Sequence, residues 1–105
     1  MAGAVLSVAI VGVAAAMTVG LASVGAAATF AQRLAGTADA AALAAADAAA
    51  GAVSGDPCVR ADEVAAASQA VVTLCDVVDL TITLTVSAPF GHFVANASAR
   101  AGPPP

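Results

Sequence analysis

The sequence has no lysine, tryptophan or tyrosine, and only 10% of its 105 residues are charged. Its only basic residues besides His92 are three arginines, set against seven acidic residues, for a net charge of −4. No basic stripe exists to bind nucleic-acid phosphates, which argues against a nucleic-acid partner. His92 is not accompanied by a motif around any nucleophile, so we expect no enzyme, no cofactor and no small-molecule substrate.

Charge is also missing from a long N-terminal run, since Ala2 to Gln32 contains no ionisable side chain. As a helix this run is about 46 Å long, against a hydrocarbon core of about 30 Å, so it can span a membrane. The alternative is a secretory signal peptide removed after Ala28 or Ala31. A signal peptide is typically shorter and begins with basic residues, which are missing here, and we therefore favour a membrane span.

Small residues recur every four positions in this run, at Gly12, Ala16 and Gly20. At that spacing they lie on one helix face and allow the backbone of another membrane helix to approach closely. We predict a helix-packing stripe, although an Ala- and Gly-rich segment also produces such spacing by chance.

An alanine-rich tract follows Arg33 and continues the helical pattern to Gly51, which predicts one rod from about Gly3 to Gly51. Asp39 and Asp47 lie on a loose acidic edge of this rod and are expected to solvate it outside the membrane.

The remaining sequence predicts a small domain. Asp56-Pro57 marks the start of a helix reaching about Gln69, with Val64, Ala67, Ala70 and Val71 on its apolar face. Val71–Val77 and Leu80–Val86 predict a hairpin with its turn at Asp76–Asp79, because Leu80, Ile82, Leu84 and Val86 alternate with threonines. Residues 92–101 predict a third strand. Phe90 and Phe93 flank an exposed His92 and are expected to pack in the core, with a partner contact as the alternative.

The only two cysteines, Cys58 and Cys75, lie outside the membrane run and predict a disulfide. The other interpretation is two reduced, buried cysteines, and their spacing with His92 does not suit a metal. A disulfide places the C-terminal part outside the cytoplasm. Arg33 taken alone would place it inside, and we favour the orientation indicated by the cysteines.

The run from Leu34 to Ala46, with Asp39 leading an alanine-leucine tract that contains Leu43, resembles a motif of TadE/TadG-like Flp pilus-assembly proteins. There, a membrane helix is followed by an arginine, here Arg33, and then by this Asp-led run. The order of the later segments, through Cys58 and Cys75 to the final Ala-Arg-Ala-Gly-Pro, is similar to small actinobacterial TadE-like proteins of a helicase and secretion neighbourhood. The resemblance covers nearly the whole chain.

The resemblance implies a minor pilin or pseudopilin with other pilin-like or Tad-apparatus subunits as partners. It also implies cleavage by a prepilin peptidase after a glycine, for which Gly3 is available. Many pilin-like proteins carry a glutamate five residues after the cut, where this chain has Val8.

The sequence therefore predicts an α+β protein with a pilin-like N-terminal helix. Residues 1–32 form a single-pass membrane segment, residues 33–55 a helix extension and linker, and residues 56–105 an extracytoplasmic head with an extended Pro tail. Its expected role is protein assembly at the lipid membrane in a Flp-type pilus or secretion apparatus. The alternative is a small secreted effector or binding protein released from a signal peptide.

Overall fold

A computed structural model describes residues 1–104 and begins with a single 48-residue helix, α1, at Ala2–Ala49. Its length of about 72 Å at 1.5 Å per residue accounts for most of the 75 Å long axis of the molecule. No proline interrupts the alanine-rich tract, and the helix ends just before Gly51, whose φ of +80° suits glycine. The predicted continuous rod is confirmed.

A second helix, α2, spans Pro57–Ala67. Asp56 caps it, because its carboxylate accepts hydrogen bonds from the backbone N–H groups of Cys58 at 2.9 Å and Val59 at 3.3 Å. The helix ends two residues before the predicted Gln69, which adopts a φ of 60° in the following turn.

The apolar face predicted for α2 is partly wrong. Ala61 and Ala65 are its buried residues, whereas Ala67 is exposed and Val71 belongs to the next strand. The error arose because the predicted helix was extended beyond its true end.

Three strands form an antiparallel sheet of order β1-β2-β3: β1 at Val71–Val78, β2 at Thr81–Phe90 and β3 at Phe93–Ala101. The hairpin and the third strand are confirmed. The predicted first turn is only partly correct, since Asp79 lies in the turn but Asp76 pairs with Thr83 within the ladder. The chain turns at Asp79 and Leu80 instead, and Asp79 has a φ of 54°. Leu80 is therefore 44% exposed rather than part of the buried strand face.

The core lies between one face of the sheet and the C-terminal part of α1. Ile82, Leu84 and Val86 of β2 are fully buried there, as their alternation with threonine predicts. The matching face of α1 carries buried small residues and one leucine, at Leu34, Ala38, Ala41, Ala42 and Ala45. Because alanine side chains are short, the helix backbone approaches the sheet closely. With Ala61 and Ala65 of α2, these residues form one cluster.

The opposite face of the sheet is polar along β2, whereas β1 exposes Leu74 and Val78 on it. Thr81, Thr83 and Thr85 lie on it with intermediate exposure, and Thr85 shares a 2.8 Å hydroxyl hydrogen bond with Ser98 of β3. The whole arrangement is the α+β fold expected from the sequence, with a long helix, a short helix and a three-stranded sheet.

Candidate functional site

The N-terminal part of α1 is the most distinctive surface of the molecule. Every residue from Met1 to Thr29 is exposed, although valine, leucine, isoleucine and alanine dominate the segment. Among residues 1–104, α1 is the one helix long and apolar enough to cross a membrane. A single apolar N-terminal helix of this kind is compatible with a membrane anchor or with a signal peptide.

The few polar groups of this segment are satisfied within the helix. Four hydroxyls each donate to the carbonyl oxygen four residues earlier, at 2.8–2.9 Å: Ser7, Thr18, Ser23 and Thr29. In a hydrocarbon environment an unpaired hydroxyl is costly, and this internal pairing removes that cost. The local structure thus suits a lipid environment without requiring a partner for each polar side chain.

The predicted packing stripe of Gly12, Ala16 and Gly20 is fully open. A Cβ atom built on Gly12 or Gly20 would meet no heavy atom within 4 Å. Ala16 precedes Leu34, and Gly20 precedes Ala38, by about five helical turns, so each pair points to the same side of α1. The stripe therefore lies on the side of the rod that, further along, carries the head.

Asp39 and Leu43, two of the residues that carry the resemblance noted in the sequence, are also exposed but are not brought together with that stripe. Both lie on a different flank of α1, beside the head, and Leu43 remains 59% exposed. They border an open cleft of about 410 Å³ whose far wall contains Arg100, at the end of β3. Two separate surfaces of the rod are thus available to other proteins.

Arg33 marks the junction between the apolar segment and the head. It is exposed and borders an open groove of about 490 Å³ between α1 and the turn after α2. Thr37 of α1 and Ser68 and Gln69 from that turn line the same groove. The junction is therefore polar on the α2 side.

The other side of the junction is aromatic. Phe30 of α1 packs on Phe90 at the end of β2, with ring centroids 4.8 Å apart. The core position predicted for Phe90 is thus partly correct, since its ring packs on the rod. Phe93 is not a core residue, because 76% of its surface is exposed at the tip of the β2–β3 hairpin. His92 lies in the same turn and is exposed, as expected.

A disulfide ties the head together, as the sequence predicts. Cys58, in the first turn of α2, bonds to Cys75 in β1 across 17 residues, with Cα atoms 6.0 Å apart. The bond fixes α2 to β1, an edge strand whose only neighbour in the sheet is β2. Disulfides are typical of oxidising compartments, so this bond is compatible with an extracytoplasmic head.

The possible processing position, Gly3, lies in the first turn of α1 with Val8 one and a half turns later. Both are exposed, and a Cβ atom on Gly3 would meet nothing within 4 Å. Access to Gly3 is therefore not blocked by the head. Within residues 1–104, no three side chains of His, Cys, Asp or Glu are grouped as metal ligands would be.

Two features of the structure were not predicted from the sequence. One is the Phe30–Phe90 contact, which depends on the long-range placement of a hairpin against α1. The other is Arg60, whose guanidinium donates to the carbonyl oxygen of Ser54 at 2.7 and 2.9 Å and closes the linker before α2. An arginine three residues after a Pro at the helix start is the only signal that pointed to this contact.

Comparisons with protein-family models, with curated proteins and with solved structures find no match to this chain. By its fold, the protein belongs to the class of small disulfide-bonded α+β domains carried on one long apolar N-terminal helix.

Proposed function

We propose that this protein is a minor pilin-like or pseudopilin-like component of a Flp (Tad)-type pilus assembly or secretion apparatus. It acts by helix packing and protein contacts in the membrane, without catalysis. The observation that supports this proposal most strongly is the division of α1. One continuous helix is fully exposed and apolar up to Thr29, and forms the spine of the head from Leu34 onward.

This division has a mechanical consequence. Because α1 is continuous through the junction, a force or rotation applied to the membrane part reaches the head without a hinge. A subunit built in this way transmits the arrangement of packed membrane helices directly to the surfaces outside. That property suits an assembly component, in which helix packing sets the position of each head.

The stripe of Gly12, Ala16 and Gly20 is the surface we assign to packing with another pilin-like helix. Its small side chains permit close backbone contact, and van der Waals packing of this kind drives helix association in lipid. Asp39 and Leu43, on a different flank of α1 and outside the membrane, are assigned to contacts with neighbouring heads. Two separate surfaces on one rod allow a subunit to contact two neighbours at once.

A secreted soluble effector or binding protein is the second candidate. The residues of α1 that contribute to the core of the head begin at Phe30. Cleavage of the chain after Ala28 would therefore remove the apolar segment and leave every core residue in place. The disulfide would also remain. The head is thus compatible with release, and the two candidates differ in whether the apolar segment is retained.

Site-specific photocrosslinking in the native host tests the proposal. A diazirine-bearing residue replaces Ala16 on the stripe or Ala14, which points about 160° away on the same helix. We expect the Ala16 probe to capture another single-helix apparatus subunit, identified by mass spectrometry, and the Ala14 probe to capture mainly lipid. Equal capture by both probes, or capture only of lipid, would refute packing through this stripe.

A further inference from the structure

The tip of the β2–β3 hairpin, residues 89–94, lies at the same depth as the end of the apolar segment. The contact between Phe90 and Phe30 fixes this depth, and the charge-free run ends at Gln32, two residues beyond Phe30. A bilayer that surrounds α1 up to this point therefore reaches the hairpin tip. The opposite end of the sheet, at Asp79 and Leu80, points away from it.

The tip is apolar and mostly uncovered. Phe93 is 76% exposed and Val94 67% exposed, and they follow each other at the start of β3. With Phe30 and Phe90, Phe93 completes a group that contains all three phenylalanines of the chain. Apolar side chains that enter the boundary between headgroups and acyl chains, phenylalanine among them, are typical of protein segments that lie in the membrane interface.

The charged residues of the head are also distributed unevenly between the hairpin tip and the opposite end of the sheet. Arg33 lies at the depth of the tip, while the first acidic residue along α1 is Asp39, nine residues and about 13 Å beyond Phe30. Asp76 and Asp79 lie toward the far end of β1. Asp56 precedes α2, Asp62 and Glu63 lie near its middle, and none of the three lines the Arg33 groove at its C-terminal end. The junction thus presents a cation and no carboxylate to the bilayer surface.

We propose that the hairpin tip inserts into the interfacial layer of the bilayer as a second membrane contact beside α1. Phe93 and Val94 enter the boundary between headgroups and acyl chains, and Arg33 faces the phosphates of anionic lipids. Two contacts on one rigid body fix the tilt and the rotation of the head on the membrane, which one helix alone would leave free. This inference rests on the membrane-anchored form of the proposed function.

Tryptophan fluorescence provides a direct test, because the chain has no tryptophan or tyrosine of its own. Phe93→Trp places the only such fluorophore at the tip. Leu80→Trp is the matched control, on a turn at the opposite end of the sheet, and Leu21→Trp reports on the membrane segment. Each full-length variant is reconstituted into phosphatidylcholine vesicles with or without phosphatidylglycerol, and with lipids brominated near the headgroup end of the acyl chain.

We expect brominated lipid to quench Phe93→Trp several-fold more strongly than Leu80→Trp, with a blue-shifted emission maximum only for the former. Equal, weak quenching of both, while Leu21→Trp is strongly quenched, would overturn the inference and leave the anchor intact. If Leu21→Trp is also unquenched, the anchor itself fails. Quenching of Phe93→Trp that is the same with and without phosphatidylglycerol would overturn the role of Arg33. Val94→Trp repeats the test if Phe93→Trp does not fold.

Discussion

Substitution of Ala38 by leucine tests how closely α1 packs on the head. Ala38 is 0% exposed and belongs to the core cluster that joins α1 to β2. If a void were present, three added carbon groups would stabilise the protein by about 2 kcal/mol, at about 0.8 kcal/mol each. If the short side chain instead permits close backbone approach, leucine must separate helix and sheet, at a cost of about 1–3 kcal/mol. We expect the second outcome.

The matched control is Ala40→Leu, two residues further along the same helix, where the side chain is exposed. Both substitutions change helix propensity equally, and the control is expected to alter stability by less than about 0.5 kcal/mol. Their difference therefore isolates the packing contribution.

Hydrogen exchange of the β2 amides at Leu84 and Val86, followed by mass spectrometry in detergent micelles, supplies the measurement. When the opened structure recloses faster than its amides exchange, the exchange rate reports the free energy of opening. A loss of 1–3 kcal/mol in that free energy corresponds to about 5- to 150-fold faster exchange in Ala38→Leu. Slower exchange in Ala38→Leu than in the unchanged protein would refute the close-packed alanine face.

Three further substitutions test the head. Replacing both Cys58 and Cys75 by serine should lower the free energy of unfolding by about 3 kcal/mol, because the bond closes a loop over 17 residues; a change in denaturation midpoint equivalent to under 1 kcal/mol would contradict this. Asp56→Ala should cost about 1 kcal/mol through loss of the α2 cap, and exposed Asp62→Ala, compared by thermal unfolding, should cost clearly less. Gly36→Ala should stabilise the protein by about 0.5–1 kcal/mol, because a Cβ atom there meets nothing within 4 Å in a helix interior; a melting temperature below that of the unchanged protein would contradict this.

Local signals in the sequence were sufficient to predict most of the elements. The alternation of threonine with Ile82 and Leu84 identified β2 and its buried face. Successive side chains of a strand point to opposite faces of the sheet, so the apolar residues all lie on the face that is buried. Asp56 before Pro57 identified the start of α2, because a carboxylate and a fixed φ suit the first turn. Both signals depend only on residues that are close together in the sequence.

Positions set by long-range contacts were not predictable in the same way. Asp76 was placed in a turn because aspartate is common there, yet pairing with Thr83 retains it in β1. The core face of α1 was not recognisable from the sequence, because alanine also occupies many exposed positions of this helix. The aromatic junction at Phe30 and Phe90 requires the hairpin to fold back to one depth on α1, and no spacing along the chain encodes that depth.

The mature N-terminus tests the central claim most directly. Protein from the native host is collected separately from membranes and from medium, and its intact mass and terminal peptide are determined. Our account predicts a membrane-bound chain that keeps the apolar segment, either uncut or beginning at Ala4 after cleavage following Gly3. A chain in the medium that begins at Thr29 or Gln32 would contradict the account and identify a released soluble protein.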